Sequence, residues 1–299
     1  MEQVPESFVA TIIDIRGDAG ADWLLRLGET IALCEEQWSL RAQPPFADLS
    51  YNFVAPVVRD DSTEAILKLG APHNELRTEI DALRHIGGGG AVRLLDADPD
   101  LGAMLLERLN PGATLDSVGD DEQATSIAAH VMKQLWRPVP SDHEFPSVWD
   151  WATGIGRLRN HLEGETGPFS TRLVEQAEAI YSEFMIMAGE PVLLHGDLHH
   201  ENILSAERDP WLAIDPKGVI GEAEYEVGAF LRNHFLDTPE PGRLMARRVD
   251  QFAEELGFDR QRIIDWGLAQ AVLSAWWSFE SHGEGWDDAI ACAELLAKL

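Results

Sequence analysis

The chain has 299 residues, 45% of them hydrophobic, which is enough for one large or two modest domains around a real core. It carries 52 acidic against 23 basic residues, a formal net charge of −29. Such a surface repels nucleic-acid phosphates and disfavours DNA and RNA as partners, while a solubilising role and a cationic ligand both remain open.

The opening segment MEQVPESFVATIIDIRG is acidic and has no basic stretch ahead of its short apolar run, so no secretory signal is expected. Apolar spacing then predicts a helix over 22–41, ended by Pro44 and Pro45. SYNFVAPVV and EAILKLG read as two strands of an antiparallel hairpin, turned at Asp60, Asp61 and Ser62. A helix is predicted over 74–86, with Asn74 as its cap and Arg77 one turn from Asp81. Four glycines at 87–90 stop it, and AVRLLDADPDLGAMLLERL gives two more strands about an Asp-Pro-Asp turn. From Pro111 onward helical segments dominate: 121–136, 147–162, 170–188, 242–256, 260–281 and 285–298. One β-like island, roughly 191–220, interrupts them. The expectation is an α+β chain of two lobes, a small β-rich one over 1–108 and a larger, mainly helical one over 109–299.

The island contains VLLHGDLHHENIL, or H-x-D-x-x-x-x-N as His195, Asp197 and Asn202. A loop can place both later side chains over one site, where the Asp accepts a hydroxyl proton and the Asn offers a carbonyl oxygen to a hard cation. Asp215 follows in LAIDPKG, after an apolar strand and before a tight turn, and its carboxylate suits Mg²⁺. Order and spacing match the protein-kinase pattern H-R-D-L-x-x-x-N followed by D-F-G. That scheme also requires a strand lysine and a helix glutamate in the small lobe. Lys68 ends AILK in the predicted hairpin, and Glu79 lies on the predicted helix with Glu75 one turn before it as a rival.

Together FVAPV, AILKLG, AVRLLD, MLLERLNPG, HGDLHHENIL, AIDPKG and AQAVLSAWWS, spread over roughly residues 45–280, resemble the aminoglycoside phosphotransferase branch of the kinase-like fold. Within it the chain is most similar to the streptomycin 6-kinase and hydroxyurea phosphotransferase group. The resemblance implies a two-lobed protein-kinase-like fold, with 1–108 as the nucleotide-binding lobe and 109–299 as the catalytic and substrate-binding lobe. It implies an ATP- and Mg²⁺-dependent O-phosphotransferase acting on an aminoglycoside of the streptomycin type. Asp197 would be the catalytic base, Asn202 and Asp215 the metal ligands, and Lys68 the contact to the α- and β-phosphates, held by Glu79. Glu107, Arg108 and Leu109 would form the hinge that reads adenine. No glycine lies between Thr30 and Leu69, so Ser50, Tyr51 and Asn52 would cover the phosphates in place of a glycine-rich loop.

Lys217, one of only four lysines, is placed either near the transferred phosphate or on a solvent-facing turn. Zinc is disfavoured, because the histidines of the island follow a strand and lack HExxH. His195 is expected as a buried imidazole that holds the loop, and His199 and His200 as loop-packing or substrate-facing residues. Acidic candidates for a cationic acceptor are Glu222, Glu224 and Glu226 beyond the metal loop, and Glu280, Glu284, Asp287 and Asp288 near the C-terminus. Trp276, Trp277 and Phe279 read as core. Cys34 and Cys292 are expected as buried free thiols in a reducing compartment. The expected setting is cytoplasmic, with a cationic small-molecule substrate, no nucleic-acid or membrane partner, and a monomeric or weakly dimeric state. The alternatives are a kinase of another small molecule, hydroxyurea-type or a metabolic alcohol, and a non-catalytic nucleotide-binding protein.

Overall fold

The computed structural model describes residues 4–186 and 189–299. Two compact units divide the chain, Met1–Gly112 and Ala113–Leu299.

The first unit is built on α1 (Glu6–Trp38) and five antiparallel strands, β1 (Leu40–Ala42), β2 (Phe53–Arg59), β3 (Glu64–Leu69), β4 (Leu94–Asp98) and β5 (Ala103–Glu107), in the order β1-β2-β3-β5-β4. Alternation along the strands sends Phe53, Ala55 and Val57 of β2 and Ala65, Leu67 and Leu69 of β3 into one core with Phe8, Ile12, Trp23, Leu27, Cys34 and Trp38 of α1. Lys68 lies between two of these inward residues, so its side chain leaves by the opposite face. There α2 (Asn74–Ile86) supplies Glu79. Gly87, at φ 64°, ends α2 in a left-handed cap, as the glycine run predicts.

Three local expectations are corrected. The first helix begins at Glu6 rather than 22, and Gly17 at φ 54° kinks it, which blurs the periodicity upstream. It ends at Trp38, and Leu40 is buried in β1 opposite Arg59 rather than on a helix face. Second, Asn74 is the first helical residue of α2, and His73 occupies the cap position without a side-chain cap bond. Third, Arg77 pairs with Asp100 at 2.9 Å, while Asp81 takes Arg84 at 3.0 Å.

After β6 (Pro111–Thr114), the second unit contains α3 (Asp121–Leu135), β7 (Arg137–Pro138), α4 (Val148–His161), α5 (Thr171–Ile186), β8 (Val192–Leu194), β9 (Ile203–Ala206), β10 (Trp211–Ala213), β11 (Val219–Gly221), α6 (Val227–Leu231), α7 (Pro241–Leu256), α8 (Arg260–His282) and α9 (Asp287–Leu296). The last two residues of the predicted 170–188 helix lie outside the described residues. Caps sit where the sequence offers them: Asp120 accepts from the Glu122 and Gln123 amides, and Ser147 and Asp150 form a capping box. Helix α8 packs against α4, α5, α6, α7 and α9. Its Trp266 and Trp276 are fully buried, as are Ala269 and Leu273. Trp266 sits among Trp149, Tyr181, Phe184 and Tyr225 at ring separations of 4.9–5.6 Å. Trp276 is core as expected, while Phe279 is half-buried against it at a ring separation of 5.9 Å and Trp277, also half-buried, packs edge-on to Trp151. Cys34 and Cys292 are buried, unbridged thiols, each pushed up to about 12 by burial. No helix among the described residues is long and apolar enough to cross a membrane.

Candidate active site

Two short hairpins of the second unit bring the chemistry-bearing residues together. β11 returns antiparallel to β8, with Val219 opposite Leu194. The segment after Asp215 therefore runs beside the strand that leads to Asp197. β10 returns antiparallel to β9, with Ala213 opposite Ile203, so Asn202 before β9 and Asp215 after β10 leave the same end of that pair. The Ile214 amide donates to Asn202 O at 2.9 Å and extends the pairing to that end. Asp197, Asn202 and Asp215 thus share one end of two hairpins, although Asp197 and Asp215 are far apart in sequence.

His195 ties the pieces together. It is fully buried, and its Nε2 lies 2.7 Å from Ile214 O, so Nε2 carries the proton and donates to that carbonyl. Its Nδ1 is left to accept the Asp197 amide at 3.3 Å, and its own carbonyl accepts the Lys217 amide at 2.7 Å. Burial holds the imidazole neutral, down to about 4, against the pull of that carbonyl and the neighbouring Asp197. Gly196, at φ 85°, takes the left-handed turn between them. A Cβ there would stand 2.8 Å from Val219 Cγ1 and 2.9 Å from the Trp151 ring, so the middle of His-Gly-Asp needs glycine twice over.

Glu226 anchors the same turn from below. Its carboxylate accepts the His195 amide at 2.7 Å and the Gly196 amide at 2.8 Å, one on each oxygen. It is 1% exposed, and burial lifts its carboxyl to about 7 even though these two bonds pull it down.

Around Asn202 the hydrogen-bond directions are fixed. Its Nδ2 donates to Asp197 O at 2.9 Å and to His199 Nε2 at 3.2 Å. The nitrogen is spent, so Oδ1 is the amide's remaining face. With the Asp215 carboxylate it makes a hard, all-oxygen donor set of the kind that suits Mg²⁺. His199 Nδ1 donates to Glu201 Oε2 at 2.7 Å, and His234 donates from Nε2 to Glu201 Oε1 at 2.7 Å and from Nδ1 to Asp237 at 2.8 Å. Burial raises the Glu201 carboxyl, but the bonds from His199 and His234 outweigh it and take the group down to about 2.

In the first unit Lys68 is 3% exposed, and its Nζ lies 2.6 Å from Glu79 Oε1. Glu75, the rival partner, sits with its side chain 55% exposed beside His73. Glu107 closes β5, its amide donating to Arg93 O at 2.9 Å, and Leu109 is buried just beyond it. Ser50 and Tyr51 are exposed in the segment before β2.

Several residues proposed to face a substrate have partners within the protein. Glu222 is 4% exposed; it pairs with Arg262 at 2.5 and 2.8 Å and also accepts from Trp266 Nε1 and the Gly189 amide. No lone pair is left for an external cation, and Glu222 instead ties α8 to the turn after β11. His200 is 3% exposed and stacked on Phe230 at 4.1 Å. Burial first, and then Arg248, hold it neutral down to about 3, so it packs the loop rather than meeting a ligand. Glu226, the third acid of that run, is the loop anchor described above. Glu280 carries a two-point pair to Arg157 at 2.8 and 2.9 Å, and Glu284 is exposed beyond α8. Lys217 is half-buried, fixed through its amide to His195. The sequence reading missed Glu201 and His234 as site residues. One signal was available for Glu226, an acid set directly before the apolar run VGAFL, which has no solvent-facing side to offer it. His234 carries no comparable signal.

The family profile of aminoglycoside/hydroxyurea antibiotic resistance kinases matches residues 37–282. A streptomycin 6-kinase of Streptomyces glaucescens is 33% identical over 98% of this chain and 97% of its own length. A hydroxyurea phosphotransferase of Kitasatospora aureofaciens is 34% identical over 98% of this chain and 86% of its own. Among solved structures, a choline kinase from Streptococcus pneumoniae superposes with a TM-score of 0.64 at 13% identity, covering 93% of this chain and 99% of that one. A complex of aminoglycoside phosphotransferase APH(4)-Ia with ADP and hygromycin B gives 0.62 at 14% identity, covering 90% and 96%. At such identities the structural likeness speaks to the fold alone.

Proposed function

Because the chain belongs to the aminoglycoside/hydroxyurea antibiotic resistance kinases, an enzyme family with the kinase-like fold of a small antiparallel-sheet lobe and a larger helical one, we propose that it is an ATP- and Mg²⁺-dependent O-phosphotransferase whose acceptor is an aminoglycoside of the streptomycin type. The observation that carries this reading is the convergence of Asp197, Asn202 and Asp215 at one end of two hairpins, locked by His195.

In this reading Asp197 orients the acceptor hydroxyl and takes its proton as the oxygen attacks the γ-phosphorus. The new O–P bond forms in line with the breaking bond to the β-phosphate oxygen, and ADP leaves. Lys68, steadied by Glu79, holds the α- and β-phosphates, and Glu107 and Leu109 offer backbone groups to adenine. Ser50 covers the phosphates. Asn202 and Asp215 would hold Mg²⁺, which neutralises phosphate charge when bound. Glu280 and Glu284, at the exposed end of α8, and Lys217, beside the catalytic turn, are the remaining candidates for contact with the acceptor. The similarity to the hydroxyurea phosphotransferase supports a second reading, with a small hydroxamate-type acceptor in place of the aminocyclitol.

The test is a resistance profile. A susceptible bacterium expressing the chain should tolerate streptomycin, and the Asp197→Asn variant should lose that tolerance with turnover reduced by about 10²–10⁴-fold. Protection against hydroxyurea alone would favour the second reading. Unchanged turnover in Asp197→Asn would remove Asp197 from the reaction.

A further inference from the structure

Proceeding from that reading of Asn202, we propose that His199, Glu201 and His234 are positioning residues: they form a directed hydrogen-bond relay that fixes which face of the Asn202 amide is offered to the metal. The relay starts at the surface. Both ring nitrogens of His234 face carboxylate oxygens, Glu201 Oε1 at 2.7 Å and Asp237 Oδ2 at 2.8 Å. Ionised carboxylates only accept, so both nitrogens must donate. His234 is held at φ 55°, a left-handed backbone that a residue other than glycine keeps only when its surroundings demand it. Here the surroundings do so: Arg248 donates to the neighbouring Asn233 carbonyl at 2.6 Å, and Asn233 Oδ1 accepts the His200 amide at 3.4 Å.

With one oxygen held by His234, the other oxygen of Glu201 accepts from His199 Nδ1 at 2.7 Å. That bond selects the His199 tautomer with its hydrogen on Nδ1. In the neutral ring Nε2 is then a lone pair, 3.9 Å from Asp197 Oδ2, and it accepts from Asn202 Nδ2 at 3.2 Å. Asp197 O, itself only an acceptor, takes the same nitrogen at 2.9 Å. Two acceptors now hold the nitrogen side of the amide, and Oδ1 is turned toward the metal side. If the hydrogen of His199 stood on Nε2 instead, two N–H groups would meet, and the amide would be driven to swap its oxygen away from the cation. Partners that orient a metal ligand commonly set affinity by 10–100-fold, and here the setting comes from residues that never touch the ion.

The test measures metal affinity apart from turnover. Mn²⁺ stands in for Mg²⁺, and its binding to the protein with ADP is followed by electron paramagnetic resonance, beside the affinity for metal-free ADP and the melting temperature. His199→Leu removes the acceptor, Glu201→Leu releases the tautomer, and His199→Gln puts an amide oxygen back near the Nε2 position. The expected result is Mn²⁺ affinity weakened by about 10–100-fold in His199→Leu and Glu201→Leu, recovered to within about 3-fold of the wild type in His199→Gln, with metal-free ADP affinity unchanged throughout. Wild-type Mn²⁺ affinity in a folded His199→Leu or Glu201→Leu would overturn the relay, and so would a His199→Gln variant as weak as His199→Leu. If one leucine variant fails to fold, the other still decides. A wild-type protein that binds no Mn²⁺ with ADP would instead overturn the metal site itself, and the relay with it.

Discussion

His195 and Glu226 work as a pair at the turn that leads to Asp197, and their ionisations oppose each other. His195 is held neutral, its pKa taken from the ordinary 6.5 to about 4. The unfolded chain therefore binds a proton that the folded chain refuses, and stability present above about 6.5 is lost as the pH falls to about 4, by up to about 3 kcal/mol. Glu226 is raised from 4.5 to about 7, so its folded form keeps a proton over that window and stability falls as the pH rises through it. The two slopes partly cancel. Glu226→Gln removes one of them, and melting curves between pH 4.5 and 6.5 should show a steeper loss toward acid in the variant than in the wild type. Glu226→Ala strands two buried amides, at about 1–3 kcal/mol each. The site was partly legible at this scale. Asp197, Asn202 and Asp215 stand out in the sequence by their spacing, and two hairpins bring them to one end; Lys68 stands out as a strand lysine, and Glu79 of the following helix meets it. Glu222, Glu226 and His200 read as ligand-facing only because a string of letters does not say which carboxylates and rings fold inward. Arg262 and Trp266, which occupy Glu222, lie some forty residues away in sequence.

At the scale of elements, helices with a clear apolar stripe were legible to within a residue or two, as were the four strands about the acidic turns. The misses have physical causes. The front half of α1 is interrupted at Gly17, β1 is a strand only because β2 pairs with it, and α6 is five residues long with no polar face to show a period. Helix α7 illustrates what pairing adds. Its Arg248 is wholly buried, held by Asp121 of α3 at 2.5 Å and by the Phe230 and Asn233 carbonyls at the end of α6, with its guanidinium 5.0 Å from the Phe230 ring. Arg247 also reaches Asp121. Asp121→Ala leaves a buried guanidinium without its counter-ion, and should cost about 3–5 kcal/mol in chemical denaturation. Replacing Asp121 and Arg248 together by apolar residues of similar volume should cost much less, because the stranded charge is then gone.

Across the whole molecule the net charge of −29 sets a field that favours cations and resists compaction through self-repulsion. Screening acts on both effects. Added salt should raise the melting temperature modestly and should raise the KM for a cationic acceptor, while the kcat changes little. A neutral acceptor such as hydroxyurea would show no such salt dependence, which gives a second way to separate the two readings. The most direct measurement is mass spectrometry of the products formed by the purified protein with ATP and Mg²⁺, offered streptomycin beside hydroxyurea and other aminoglycosides. One phosphate should be added to streptomycin, with ADP formed in equal amount and the reaction lost in Asp197→Asn. No phosphorylation of any aminoglycoside would contradict it.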